Sequence, residues 1–296
     1  MIAAGDFKRA FERFRKDEMS QRAAALTYFA LLSLFPALLV AVAVLGVFGQ
    51  QGLVNDAANY LKDAGAPPET VDAVTKSLES AQSQRGTALG ALVIGLATAL
   101  YGASGAFGAV GSALNQVWRV EEGRSFVTHK LQNLVWTIVL LALALITTVL
   151  LFLGGGIADD LLGKIGVGDT FATVWAYARW PAALLSAMLI YAVLYYAAPN
   201  VEVRHWHYIT PGAVFGVTAW ILASALFFFY VSGFASYSAT YGAFAAVVIL
   251  LIWLYLTSSV LLFGAELNAA VDQRREPHLP AGYDGPVLPA KVPAER

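Results

Sequence analysis

Five stretches of this chain carry no Asp, Glu, Lys or Arg and are long enough to cross a bilayer. They run from Ala23 up to Asp56, Gly86–Trp118, Leu131–Ala158, Trp180–Val201 and His205–Ala265. A spanning helix needs about 20 mainly apolar residues. The last stretch is too long for one span, and the small polar segment from Ser232 to Thr240 divides it. The expectation is an all-α polytopic membrane protein with six transmembrane helices near 23–48, 87–111, 133–156, 180–198, 209–231 and 241–264. Composition agrees. Charged residues make up only 13% of the 296, and mean hydropathy is +0.63. A soluble domain has about 25% charged residues, so this chain lacks the polar surface to cover its apolar volume in water.

None of the 19 Lys and Arg residues falls inside these expected spans. Six lie in the N-terminal segment (Lys8, Arg9, Arg13, Arg15, Lys16, Arg22). Arg119, Arg124, Lys130, Arg204, Arg274, Arg275, Lys291 and Arg296 fall on the same side, which makes fourteen against five on the other. By the positive-inside rule both termini are cytoplasmic. Residues 1–22 are charged throughout, and the apolar run after them is far longer than the roughly 7–15 residues of a signal-peptide core. The first span is therefore read as retained.

Three flanking segments have their own pattern. Residues 6–18 read as a helix opening on an Asp6 cap, with Phe7, Phe11 and Phe14 at i, i+4 and i+7 among basic residues. It fits an interfacial amphipathic helix, or one whose phenylalanines pack on the bundle's own cytoplasmic end. The external loop 49–86 carries two short helical patterns, the second opening after Pro67-Pro68, a favourable helix start. The tail 273–296, rich in Pro, Gly and Ala, is expected to be disordered.

The motifs inside the spans are mostly neutral. The second helix is punctuated by glycines, with Gly86 and Gly90 forming a GxxxG, as Gly212 and Gly216 do in the fifth. Small residues let helices approach closely in lipid. The other reading is that Tyr101, Gly102, Ser104 and Gly105 form a deformable or broken segment lining a cavity. Pro36 must free the carbonyl of Leu32 and is expected to kink helix 1. Pro211-Gly212 instead opens helix 5 at little cost. Glu266 is the one carboxylate adjoining an apolar run, at the end of helix 6. Arg22, on the same side, is its expected partner. The pair is either structural or a gating element.

Several chemistries find no support. No chain of Asp, Glu or His crosses the bilayer, so proton pumping has no pathway. His205 and His207 flank Trp206 without nearby carboxylates, which is a poor zinc site. No phosphate loop and no nucleophile elbow is present. There is no cysteine. No enzymatic activity, cofactor, metal or nucleic-acid partner is expected.

Four segments carry a family resemblance: "DEMSQRAAALTYFALLSLFP" (Asp17–Pro36), "YGASGAFGAVGSALNQVW" (Tyr101–Trp118), "PNVEVRHWHYITPGA" (Pro199–Ala213) and "YGAFAAVVILLIWLYLTSSVLLFGAELNA" (Tyr241–Ala269). Together they resemble, in order, the YihY/BrkB family of bacterial inner-membrane proteins. The resemblance implies a six-helix inner-membrane protein without agreed catalytic residues. It also implies a history of mislabelling as ribonuclease BN, a label that the missing His/Asp metal set and basic groove do not support. Some members are linked to virulence or serum resistance and others to envelope lipid export. Asp17, Tyr28, Ser33, Pro36, Trp118, Pro199, Pro211, Gly212, Tyr241 and Glu266 match recurring motif positions. With Arg22, Tyr101, Gly102, Ser104 and Gly105 they are the candidate site residues.

Two functions follow as expectations. A neutral, small-residue bundle suits a transporter of an amphiphile such as a lipid better than a small-ion pathway. The alternative is a non-transporting scaffold or envelope assembly factor that meets a protein partner through the external loop or the 6–18 helix. Membrane lipids are expected partners in either case, and the oligomeric state is unread.

Overall fold

The computed structural model describes residues 3–48, 58–59, 62, 68, 71–72, 75–76, 85–152, 169–202, 209–232, 235–275 and 288–293. Seven helices account for most of them: α1 (Ala4–Lys16), α2 (Met19–Phe48), α3 (Arg85–Trp118), α4 (Phe126–Phe152), α5 (Asp169–Ala197), α6 (Pro211–Ser232) and α7 (Ala235–Arg275). Five of these, α3 to α7, are long and apolar enough to cross a membrane. α2 adds a sixth helix of 30 residues. The protein is an all-α polytopic membrane protein.

The chain forms two compact units. One comprises Met1–Tyr28 with Phe107–Arg296, and the other Phe29–Ala106. In the first unit α6 packs on α7, α4 on α5, α5 on α6, and α1 on α7. Its core is built on Met19, Leu114, Val117, Val201 and Leu262. The outward faces are apolar rather than polar: Val135, Ile138, Leu145, Leu185, Leu222 and Leu226 are all exposed. That arrangement is stable only where lipid is the solvent.

Close helix approach explains the glycines of α6. A Cβ on Gly212 would strike the carbonyl of Gly264 and the side chain of Asn268, and one on Gly216 would lie 2.6 Å from the Tyr191 ring. In α3 the close positions are Gly108 and Gly111, where a Cβ would lie 2.7 Å from Asn133 Nδ2 and 2.8 Å from the Ala198 carbonyl. At Gly90, Gly102 and Gly105 a Cβ would meet open space. The helix runs unbroken through residues 101–105, so the segment is not interrupted.

Three expectations are corrected, and one of two open readings is decided. The fourth span is longer than 180–198: α5 starts at Asp169 and includes Arg179 and Pro181. The Arg179 guanidinium lies over the Trp180 ring, 5.1 Å from its centroid, so a long cationic side chain is carried inside a spanning helix near its end. α1 begins at Ala4, and Asp6 caps from the third turn position, its Oδ2 accepting the Ala3 N–H at 2.8 Å. Phe7 and Phe14 stack on Phe215 of α6 and Phe263 of α7 at 5.4 and 5.9 Å, so that face packs on the bundle. Only Phe11, 55% exposed, points away from it. Within the tail read as disordered, residues 288–293 dock on the turn after α5, with an isolated antiparallel bridge between Val201 and Ala290. The short helices expected at 49–86, and the segment 203–208 with His205, Trp206 and His207, fall largely or wholly outside the described residues.

Candidate functional site

α1, the turn after α3, the turn after α5, the C-terminal turns of α7 and residues 288–293 gather at one end of the first unit. The buried face of α1 is polar. Asp6, Ala10, Arg13 and Asp17 recur every three or four residues and are all buried, which is the spacing of one helix face.

Asp6 and Arg13 on that stripe each meet a distant partner. Asp6, fully buried, accepts from Arg9 and pairs with Arg274 at 3.4 Å. Arg13 donates from Nε to Glu266 Oε2 at 2.9 Å, and from Nη2 to the Val117 carbonyl that ends α3. Such a planar, multi-donor group suits a buried ion pair. Arg22 does not reach Glu266; its Nη2 donates to Gln116 Oε1 at 3.4 Å. The expected Arg22–Glu266 pair is therefore replaced by Arg13–Glu266. The reason is local: Asp17 ends α1, Glu18 takes φ 53°, and the chain folds back so that α1 lies on α7.

Asp17 and Glu266 are both buried at this end. Glu266 is 0% and Asp17 8% exposed, yet Oε1 of the first and Oδ2 of the second meet no donor. Trp118, buried in the same core, also leaves its Nε1 without an acceptor.

A second polar knot surrounds Asn200, which follows Pro199. Its backbone N–H donates to Asn115 Oδ1 at 2.6 Å, and its Nδ2 donates to the carbonyls of Glu121 and Val292 at 3.0 and 2.6 Å. The Val292 N–H returns a bond to Asn200 Oδ1 at 3.2 Å. Arg124 holds Glu122 with Nε at 2.6 Å and Nη2 at 2.5 Å, and also reaches the Ala198 carbonyl. Burial pushes the Glu122 carboxyl up, but the paired Arg124 guanidinium outweighs it and holds the group below the usual carboxylate range. Burial and the charge of Arg124 both push Lys291 below the usual amine range. A third polar contact closes the entrance to α6: the Gly212 N–H donates to Asn268 Oδ1 at 2.6 Å, while Thr210 Oγ1 accepts from the Ala213 N–H and Asn268 Nδ2.

Of the remaining candidates, Ser33, Pro36, Tyr101, Gly102, Ser104 and Gly105 belong to the second unit. Tyr28 and Tyr101 are 58% and 70% exposed. Ser33 and Ser104 donate to carbonyls of their own helices, Ala30 and Tyr101. Pro36 and Tyr241 lie in α2 and α7, with side chains outside the described residues. Of the sequence candidates, Asp17, Trp118, Pro199, Pro211, Gly212 and Glu266 fall at the gathered end. Arg13, Asn115, Asn200 and Asn268, which form its bonds, were not singled out. A polar stripe at helical spacing in 6–17 was the readable signal for Arg13. Among the described residues no three His, Asp or Glu side chains are placed to hold a metal.

Residues 10–284 match the family described as Virulence factor BrkB. The chain belongs to this family. Among its relatives is a protein named putative ribonuclease-like protein YfkH from Bacillus subtilis, 34% identical over 272 residues, 91% of this chain and 96% of the relative. A UPF0761 membrane protein of Alkalilimnicola ehrlichii is 31% identical over 267 residues, but this BrkB-family chain spans only 56% of its length. A UPF0761 membrane protein of Photobacterium profundum is 28% identical, with 91% of this chain and 82% of the relative covered. No solved structure matches.

Proposed function

We propose that this BrkB-family membrane protein moves or presents an amphiphilic envelope component, such as a lipid, within the bacterial inner membrane, with both termini in the cytoplasm, and that it is not an enzyme. The observation that carries this reading is the neutrality of the mid-membrane contacts. Thr147 donates to Ser186 at 2.8 Å between α4 and α5. Trp220 donates to Thr257 and Trp253 to Ser224 between α6 and α7, at 3.1 and 3.2 Å. In the described spans Lys130, Asp272 and Arg274 lie in end turns, while Arg179 lies in the first half of α5 and Glu266 more than two turns before the end of α7. An acyl chain asks only for apolar contact, and a headgroup can pass neutral hydroxyls and indoles, whereas an ion or proton would need ionisable groups along its path. The charge count of fourteen to five supports the orientation.

The test is purification in native lipid discs with analysis of the retained lipids, followed by reconstitution into vesicles carrying headgroup-labelled lipid. Enrichment of one lipid class and faster transbilayer movement than in protein-free vesicles are expected. Bulk lipid composition with no acceleration would leave the scaffold reading, for which crosslinking from exposed Lys8 on α1 should capture one reproducible protein partner.

A further inference from the structure

Residues 288–293 lie on the turn after α5 as an added strand. The Glu202 N–H donates to the Pro289 carbonyl at 2.7 Å, and the Lys291 N–H donates to the Asn200 carbonyl at 3.1 Å. These bonds flank the antiparallel bridge of Val201 and Ala290. The Asn200 side chain then takes both backbone groups of Val292, accepting its N–H on Oδ1 and donating from Nδ2 to its carbonyl. Gly123 is the floor: a Cβ there would strike the Val292 carbonyl and lie 2.5 Å from that of Pro293. The Lys291 ammonium donates to the Tyr196 carbonyl at 3.3 Å, in the last turn of α5, and lies 4.8 Å from the centroid of the Tyr196 ring. A helix C-terminus and an aromatic face both favour a cation.

Three observations separate this edge from its occupant. The edge is held without it: the Asn200 N–H donates to Asn115, Asn200 Nδ2 to the Glu121 carbonyl, and Arg124 to the Ala198 carbonyl. The occupant is mostly in the open, with Pro289, Lys291, Val292 and Pro293 exposed and Leu288 packed on the core. It is therefore held mainly by hydrogen bonds, each worth little net because water offers the same bonds. The family match ends at residue 284, so the edge lies inside it and the strand outside. An edge of this kind accepts extended chain through main-chain bonds.

We propose that Asn200–Glu202, with Gly123 and Tyr196, is a docking edge for an extended peptide bearing a lysine or arginine, and that residues 288–293 are its exchangeable occupant in cis. The bonds set the motif. The residue in the Lys291 position carries the cation and keeps its N–H, and the one in the Val292 position also keeps its N–H. Proline fits in the Pro289 position, which only accepts. An apolar side chain belongs three residues before the cation, where Leu288 sits. This surface is independent of what the bundle carries.

The probe is a labelled synthetic peptide with the sequence of residues 287–294, VLPAKVPA, added to the protein in lipid discs. A chain ended after Val287 keeps every helix and all the family-matched residues. It should bind the peptide at least about tenfold more tightly than the full chain, where the tethered strand competes at an effective concentration on the order of mM. A peptide carrying Lys291→Glu should lose most of its binding. Amide exchange at Glu202 should be slow in the full chain, fast in the shortened one, and slow again with peptide bound. In the full chain, Gly123→Ala should release the strand, read as faster exchange within 288–293. Equal binding by both chains, binding indifferent to Lys291→Glu, or protection of Glu202 that survives truncation would each overturn the proposal. Unchanged exchange in Gly123→Ala would overturn it as well, and that reading does not depend on the shortened chain folding.

Discussion

Two regions of the first unit use polar groups in opposite ways. At the gathered end, charges from α1 and α7 are buried against each other, and Arg13, Asp17 and Glu266 lie in a core of Met19, Val117 and Leu262. Along the spans, polar contacts among the described residues include the Thr147–Ser186 hydroxyl pair and a longer Ser186 bond to the Leu143 carbonyl between α4 and α5, and two indole–hydroxyl bonds beside a Trp220–Trp253 contact at 6.1 Å between α6 and α7. The first region is specified by groups that cannot be left alone. The second rests on contacts that can each be lost cheaply, since hydrogen bonds between helices in lipid average about 0.6 kcal/mol. Specificity of assembly is thus concentrated at one end, while the part that meets lipid stays forgiving.

The sharpest way to break this contrast is to remove Arg13. Arg13→Ala should cost about 3–5 kcal/mol, because Glu266 is left buried without its cation. Arg22→Ala, which loses only a 3.4 Å bond to Gln116, should cost under about 1 kcal/mol. Thermal unfolding in a mild detergent compares the two, and an equal loss would mean that the ion pair has been misassigned. Next comes Gly212→Ala, which should cost about 1–3 kcal/mol by overpacking against Gly264 and Asn268. Gly102→Ala, facing open space in an unbroken helix, should be neutral or stabilising by up to about 1 kcal/mol. Asn200→Ala should cost about 1–3 kcal/mol locally, read as faster proteolysis within 288–293 because both bonds to Val292 are lost. Smallest of all, Thr147→Val should change stability by about 0.6 kcal/mol or less.

The helices and the membrane class were legible because charge-free runs leave no other solvent for the chain. The pairing at the gathered end was not. Arg13 and Arg22 are both cations on the same side, and the choice between them depends on a left-handed turn at Glu18, a residue type that does not advertise such a turn as glycine or asparagine would. Arg179 escaped because spans were drawn as uncharged runs, whereas a long cationic side chain can lie along a helix and rest on an aromatic ring. The docked tail escaped because its Pro and Ala content says nothing about backbone bonds. Lys291 N–H to the Asn200 carbonyl and Glu202 N–H to the Pro289 carbonyl need no particular side chain. Asn200 itself looked like an ordinary turn residue after Pro199.

The Arg13–Glu266 bond joins residues 253 positions apart. Bacterial and eukaryotic ribosomes add about 5–20 residues per second, so the first helix made must wait roughly 10–50 s for its counterpart to emerge. Through that interval its charged stripe has only water and the membrane surface to rest on. The docking of α1 is therefore a late event, and a nascent chain released before α7 would leave α1 without the helix it packs on.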